Sequence, residues 1–553
     1  MMRLRDKGFP VKKSYSALIY SIIVIIILTV FLIFFNLEKS NRYSLEIRKI
    51  QHIENADANP NIGPTEINPD GTVDPETFET HLPLVIMDTD GQEPPNIYKY
   101  DNDEDQARLY ADPEVTDPWI DVSLYIVNND SQINKITDTP YFTNNGKIKL
   151  RGNSSRFFEK KQYGLKLLDS NGEELEYPLL GMDADEDWAL SNSILDASYL
   201  RSYLAYNLGG FLDPNTPEVR FCEVLQKNGD TYEYLGLYLL TETVKKSDGR
   251  VNIKTYDGNT SNLSYIVDRD RYDHTDLMLS TYASKDQICY GYFSLIYPKN
   301  DLADPQTVSA IEDEISEIEK IIYSDDDKEF LKYSRYIDVD SFVDYFVFNE
   351  FLMNYDSGQH STYYYRDQTH KFSAGPFWDY DNCLDNYKVE AAGFDWMSMP
   401  SRPWYERLIR DPLFSRKLCS RYKELRKSIF SDQFIEEFVM DASNYLGNAA
   451  LRENSKWSEI YHQNYELMDS EVEGFVIVRT RETHEEEIVR MLDAQKLHAS
   501  FLDQHMWNLI KDYVNTDLDK GALTLFSTVA LVMMIVFIVS AYLVSKLSKN
   551  EIR

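Results

Sequence analysis

Cysteine is scarce in this chain, with four residues in 553, Cys222, Cys289, Cys383 and Cys419, widely spaced and forming no CxxC pair. That excludes a disulfide scaffold and a thiolate zinc site. The nine histidines include no HExxH, so a catalytic zinc centre lacks its ligand set. Positive charge is also in deficit, with 57 Lys and Arg against 91 Asp and Glu and a net charge of -34. Phosphate backbones need a basic face, so no nucleic-acid partner is expected. No fixed period recurs along the chain, which argues against a solenoid.

What is present first is apolar sequence. Residues 14–37 carry no charge, and ALIYSIIVIIILTVFLIFF fills most of that run. At about 1.5 Å per helical residue it is long enough to cross a bilayer. A second uncharged run, 521–545, precedes the tail KLSKNEIR. Both tails are rich in Lys and Arg, and the positive-inside rule then makes both cytoplasmic. The expected organisation is a cytoplasmic tail over 1–16, a transmembrane helix over 17–37, a flexible stalk over 38–79 and a body over 80–515. A second transmembrane helix over 522–545 and a cytoplasmic tail over 546–553 complete it. The localisation that follows is a two-pass membrane protein with its acidic body on the outer side.

The stalk reading rests on NADANPNIGPTEINPDGTVDPETFET, which has few large apolar residues to bury. From His81 onward, short β-rich runs alternate with turn signals: LPLVIM, WIDVSLYIV, GKIKLRG and QYGLKLL. Asn228-Gly229 marks a hairpin between two further strands. ASYLRSYLAYNL spaces its apolar residues as a helix does, and after about Gln306 the helical period dominates. The class is α+β.

Two clusters carry candidate chemistry. NEFLMNYDSGQHSTYYYRDQTHKFSAGPFWDYD places Asp356 in a loop after an apolar helix, and Asp379 and Asp381 beside Trp378 after a strand-like run. Carboxylates on loops at element ends suit a hard cation such as magnesium. With a further carboxylate as base they are compatible with phosphoryl transfer. Turn and cap aspartates are the plainer alternative. The second cluster is basic: Arg151, Arg156, Lys160, Lys161 and Lys166 within IKLRGNSSRFFEKKQYGLKL. It reads as an anion site or as a charged surface. Strand alternation sets Lys161, Tyr163 and Leu165 on one face and Gln162, Gly164 and Lys166 on the other.

The ordered blocks RGNSSR, KKQYGLKL, LLGM with DWAL and LDASYLRSYLAYNL, GLYLLTETV, YPK, NEFLMNYD with STYYYRD, and GPFWDYD resemble the CotH family of atypical protein kinases, from about Leu82 to about Tyr513. The resemblance implies a diverged bilobal protein-kinase-like fold, a strand-rich N-lobe and a helical C-lobe, flanked by the two transmembrane helices. It implies ATP and Mg2+ (or Mn2+) as cofactors and a protein substrate phosphorylated on Ser or Thr. Carried over by motif, Asp356 orients the acceptor hydroxyl and Asp379 holds the metal, with Asp381 or Asn382 completing its shell. Trp378 packs that loop. Lys161 is the phosphate lysine, with Lys166 as alternate, while Arg151 and Arg156 hold phosphate or brace the lobe. Glu242 lies near the nucleotide.

The chain departs from ordinary kinases in three places. No GxGxxG is present, Ser361 stands where the second metal ligand is usually Asn, and the helix carrying Arg201 has no glutamate for a lysine partner. Family members acting as surface adhesins make a binding module with a weak or inactive kinase fold the alternative. Glycan hydrolysis by paired carboxylates, a calcium loop at Asp183, Asp185 and Asp187, and nucleophilic catalysis by Cys383 are weaker readings.

Overall fold

The computed structural model of the chain describes residues 48–514, except 102–107, 113, 153, 192–193, 274–275, 369, 387–393, 462–464, 470–471 and 478–482. Both apolar runs and both tails lie outside the described residues. Among the described residues no helix is long and apolar enough to cross a membrane.

The β-rich half closes on itself. Its strands are β1 (Leu84–Asp88), β2 (Ile120–Val127), β3 (Phe142–Leu150), β4 (Tyr163–Leu167) and β5 (Asp187–Ser191), then, after helix α1 (Arg201–Gly209), β6 (Val219–Asn228) and β7 (Thr231–Glu242). They run in the order β7-β5-β4-β3-β2-β1-β6, and β6 pairs back onto β7. Only β1 and β6 are parallel. Closure removes free edges and forces the period of two to separate an inside from an outside. Val85, Val122, Leu124, Ile148, Leu165, Trp188, Val224 and Leu240 are among the buried side chains of one cluster fed by all seven strands. The alternate positions of β3, Lys147 and Lys149, are only partly buried and stand outside the barrel, and Arg151 continues that row. The hairpin that Asn228-Gly229 signals does form, but Asn228 pairs with Thr231 as the last strand residue, and Gly229, at φ +61, and Asp230 make the turn.

The second half supplies a four-stranded sheet and most of the helices. Strands β8 (Tyr265–Asp270), β9 (Tyr292–Tyr297), β10 (Thr362–Arg366) and β11 (Ser373–Ala374) run in the order β9-β8-β10-β11. The helices are α2 (Pro305–Ile322), α3 (Val339–Phe351), α4 (Pro412–Leu425), α5 (Asp432–Leu446), α6 (Asn448–Tyr461) and α7 (His484–His505). Helix α2 begins where Asp304 accepts the Thr307 N–H at 2.7 Å, and it buries one stripe, Ile311, Ile315, Ile318 and Ile322. Helix α3 is apolar nearly all round, with every residue from Phe342 to Phe351 buried, so it runs through the interior and delivers its C-terminus to the site. Aromatic rings surround it. Phe342 stacks on Trp404, Tyr345 on Phe377 and Phe351 on Phe430, with centroids 6.1, 5.7 and 4.0 Å apart. Core packing therefore employs many of the aromatics that a glycan-binding reading would need at the surface.

Helix α6 fastens the barrel to the helices. Arg452 makes a two-pronged bond to Glu223, Nε to Oε1 at 2.7 Å and Nη2 to Oε2 at 2.6 Å, with both side chains fully buried. Next to it Lys160 pairs with Glu453, again fully buried, and donates to the Leu237 carbonyl at 2.9 Å. A lysine-glutamate pair thus exists, but its glutamate comes from α6 and not from α1.

The stretch read as a flexible stalk is a structural part of the body from residue 48 onward. Ile50, Val73 and Phe78 are buried, and Thr72–Val73 adds to the edge of β7. Polar anchors compensate for the thin apolar content. Gln51 bonds both the N–H and the C=O of Phe221 at 2.6 and 3.0 Å, and Arg452 takes the carbonyls of Ile62 and Pro64 at 3.2 and 2.7 Å. Composition alone undervalues such a segment, because side chains elsewhere satisfy its backbone.

Candidate active site

Two loops and one strand end meet beside the barrel. The first loop leaves α3 through Met353, at φ +52, and carries Asp356, whose carbonyl accepts the N–H of Gln359 at 3.2 Å and of His360 at 2.9 Å. The second follows β11 through Gly375, at φ +121, where a Cβ would stand 2.4 Å from Asp213 Oδ2, so only glycine fits. It carries Trp378, Asp379, Asp381 and Asn382. The strand end is Asp270 of β8.

One buried amide holds the two loops in register. Asn349 Oδ1 accepts from Ser357 Oγ at 2.5 Å in the first loop and from Tyr380 OH at 2.8 Å in the second. Asn354 Nδ2 adds a bond to the Asp379 carbonyl at 3.1 Å. Asn382 Nδ2 reaches Asp356 Oδ2 at 3.3 Å, and Ser361 Oγ bridges Asp379 Oδ2 at 3.1 Å and Asp270 Oδ2 at 3.3 Å. Asp379 and Ser361 both have positive φ, +65 and +46, conformations that bulky residues keep only when their surroundings dictate them.

The electrostatics show acids crowded together. Asp379 is open to solvent on one side, yet its carboxyl is held well above the usual range by desolvation in the cleft and then by the charges of Asp381 and Asp356. Asp268, on β8, is pushed up to about 7, first by desolvation, which outweighs its bond from Ser294, with Asp270 and Asp276 adding to the rise. Burial also opposes the Asp270 charge, but contact with His360, 3.4 Å from Nδ1 to Oδ1, keeps its pKa below the usual value. Carboxylates that raise one another in this way, with amide and hydroxyl oxygens beside them, fit a hard divalent cation. Asp379, Asp381 and Asn382 would hold it.

The barrel contributes Arg151, whose guanidinium lies over the Trp378 ring, 5.2 Å from its centroid. The charge of Asp379 acts directly on Arg151, as do the phenol groups of Tyr363 and Tyr206. The other cations named from the sequence lie elsewhere. Lys161 Nζ donates to the Arg156 carbonyl at 2.9 Å, with Glu159 and Glu93 as its charged neighbours. Lys166 pairs with Glu174 at 2.7 Å and Asp187 at 3.1 Å. Arg156 rests on the Tyr98 ring at 5.3 Å. Glu242 is buried in an ion pair with Arg250 and accepts the Glu218 N–H at 2.8 Å, with its carboxyl pushed up to about 7 mainly by desolvation.

Asn349, Asp270, Tyr206 and Arg151's seat on Trp378 are the parts that spacing along the chain does not disclose. Pairing of β8 with β10 brings Asp270 and Ser361 together across 91 positions. Two weaker candidates find ordinary roles. Asp185, Glu186 and Asp187 do cluster, but Lys245 Nζ sits among them, 3.2 Å from Asp185 and 3.0 Å from Asp187, and supplies the positive charge itself. Cys383 is fully buried and burial raises its thiol, the opposite of an activated nucleophile.

Comparison with known proteins places this geometry. No curated protein matches the chain. The family model described as CotH kinase protein matches residues 148–483, from within β3 to the start of α7, which is more than half of the chain and includes both site loops. The chain belongs to the CotH kinase protein family.

Proposed function

We propose that the protein is a membrane-anchored atypical kinase that transfers the γ-phosphoryl group of ATP to a Ser or Thr hydroxyl of a protein. One observation carries this reading: Asp356, Asp379, Asp381 and Asn382 converge from two loops pinned by Asn349, opposite a cation from the barrel. The barrel corresponds to the first lobe of a diverged kinase and the helical half to the second.

Asp356 accepts the proton of the acceptor hydroxyl as its oxygen attacks the γ-phosphorus, while the bond to the β–γ bridging oxygen breaks and ADP leaves. Asn382 orients the Asp356 carboxylate, and Ser361 steadies Asp379 between its neighbours. Asp379, Asp381 and Asn382 would hold a Mg2+ (or Mn2+), which would supply charge neutralisation for the transfer. Arg151 takes the phosphate role that the sequence motif gives to Lys161 or Lys166, because both lysines have other partners. Trp378 gives that arginine, and a nucleotide beside it, a rigid aromatic face.

The adhesion alternative calls for an aromatic or acidic patch away from the cleft. Among the exposed aromatics, Tyr290 borders the acids: it lies 5.2 Å from His360, ring to ring, and His360 contacts Asp270. That placement favours a wall for the acceptor protein. With the apolar runs 17–37 and 522–545 as spans, the body faces outward and meets ATP there.

The test is label transfer from γ-labelled ATP by the full-length chain in detergent, to itself and to casein. Asp356→Asn is expected to lower the rate at least about 100-fold with nucleotide affinity retained. Transfer at the unmodified rate would remove Asp356 from the chemistry.

A further inference from the structure

In a chain with 91 acidic residues against 57 basic ones, cations should find carboxylates easily. Around this cleft several do not. Lys149 lies on the Trp119 ring at 4.6 Å, Arg151 on Trp378 at 5.2 Å and Arg156 on Tyr98 at 5.3 Å. Three cations from one stretch of barrel are thus each seated on a different aromatic face. Lys299, two residues past the end of β9, is exposed, precedes the short turn Asn300–Leu302 and acts by its charge on Lys149. Among the described residues no ion pair joins any of the four to a carboxylate.

The geometry keeps Lys149 and Arg151 pointing the same way. Lys149 and Arg151 are two apart on the outer face of β3, and Gly164 of β4 lies under both, with their side-chain carbons 3.4 Å from where its Cβ would be. Both side chains therefore pack over the same residue of β4. Arg156 is buried, and its Nη1 has no hydrogen-bond partner. An orphaned guanidinium nitrogen in such a place calls for an anionic oxygen.

The carboxylates that face this group come from several elements. Asp187 of β5 is occupied by Lys166 and Lys245. From the segment after β8, Asp273 acts on Arg156 and Asp276 on Lys299 and Lys149, and Asp379 acts on Arg151. Even so, desolvation and the charges of Arg151, Arg156 and Lys299 lower the Lys149 ammonium. The positive charges are close enough to repel one another.

We propose that Lys149, Arg151, Arg156 and Lys299 form a polyphosphate cradle opening onto Asp379, so that inorganic triphosphate is itself a ligand. This rests on the phosphoryl-transfer reading and extends it by naming Lys149 and Lys299. An extended strand places alternate residues about 6.6 Å apart, a spacing that lets Lys149 and Arg151 contact different phosphates of one chain. The aromatic seats hold Lys149, Arg151 and Arg156 without neutralising them, which leaves their charge for the ligand. Lys299 belongs to the second half, so a bound polyphosphate joins the barrel to the helical part.

The experiment is calorimetric titration of sodium triphosphate, with no nucleoside, into the full-length chain in detergent with and without Mg2+. Saturable binding is expected, weakened about tenfold or more by Lys149→Gln and by Lys299→Gln. Lys147→Gln makes the same charge change two residues earlier on the same face and should leave affinity unchanged. Absence of binding, equal loss in Lys147→Gln, or unchanged affinity in both cradle variants would overturn the proposal. Lys299 is exposed, so its variant remains informative if Lys149→Gln fails to fold. Failure of the two readings is distinguishable. Cradle-dependent triphosphate binding without transfer to protein would remove the kinase and keep the cradle. Transfer with an unchanged KM for ATP in both variants would remove the cradle alone.

Discussion

Asn349→Ala is the perturbation that reaches the site most directly without touching a reacting group. Asn349 is fully buried, and its carboxamide oxygen is the acceptor for Ser357 and Tyr380, one from each acidic loop. Its amide also donates to the Tyr345 carbonyl at 2.8 Å, within α3. Alanine removes the acceptor and leaves two hydroxyls facing a small cavity. An unsatisfied buried donor costs about 1–3 kcal/mol, so two give roughly 2–6 kcal/mol, against a typical total stability of about 5–15 kcal/mol. Tyr380 also stands between Asp379 and Asp381, so its release frees both carboxylates to separate and relax their mutual repulsion. The expected result in denaturant unfolding is a loss of at least about 2 kcal/mol, with weaker Mg-dependent ATP binding. Asn349→Asp keeps the oxygen that accepts both hydroxyls but turns a second oxygen onto the Tyr345 carbonyl in a buried site, so it should recover only part of the stability. A change within about 0.5 kcal/mol and unaltered ATP binding would show that this amide does not hold the loops.

Three further outcomes follow from particular contacts. Arg452→Ala leaves Glu223 buried without its partner and releases the carbonyls of Ile62 and Pro64. It should destabilise by about 3–5 kcal/mol and open residues 48–79 to limited proteolysis. Lys160→Met alone should be costly for the same reason, whereas Lys160→Met with Glu453→Gln, which removes both buried charges and keeps oxygen for the Leu237 N–H or the Tyr461 hydroxyl, should recover much of the loss. Asp268, raised to about 7, gives a pH dependence whose sign is fixed. Its native state binds more protons than the unfolded chain between about pH 4 and pH 7. Stability from this group is therefore greatest below pH 4 and falls as pH rises to 7, by up to about 1.4 kcal/mol per pH unit. Asp268→Asn should flatten that slope and be more stable than the parent at pH 8, measured by urea unfolding.

The acidic loops were legible because each lies where a regular pattern stops: Asp356 after an apolar helix, Asp379 after a strand-like run. The cations were harder. Alternation assigns faces only inside a strand, and Lys161 precedes Tyr163–Leu167, so its ammonium folds back onto Arg156 instead of following the strand's outer face. Arg151 continues the alternation of β3 and reaches the Trp378 ring. Asp270 and the Lys160–Glu453 pair depend on contacts between residues far apart in the chain, the latter 293 positions, and no local signal specifies them. Residues 48–79 looked like a tether because their few apolar side chains are diluted by polar ones. What holds them is side chains such as Arg452, nearly 400 positions away, which no composition window contains.

The central claim is that the acidic loops form a metal-dependent nucleotide site that performs phosphoryl transfer. The most direct measurement is ATP binding by the full-length chain with Mg2+ or Mn2+, paired with label transfer, for the parent and Asp379→Asn. The expected result is binding that requires the metal, accompanied by transfer to protein, with both lost in Asp379→Asn. ATP binding indifferent to metal and to Asp379, or no binding with either metal, would contradict it.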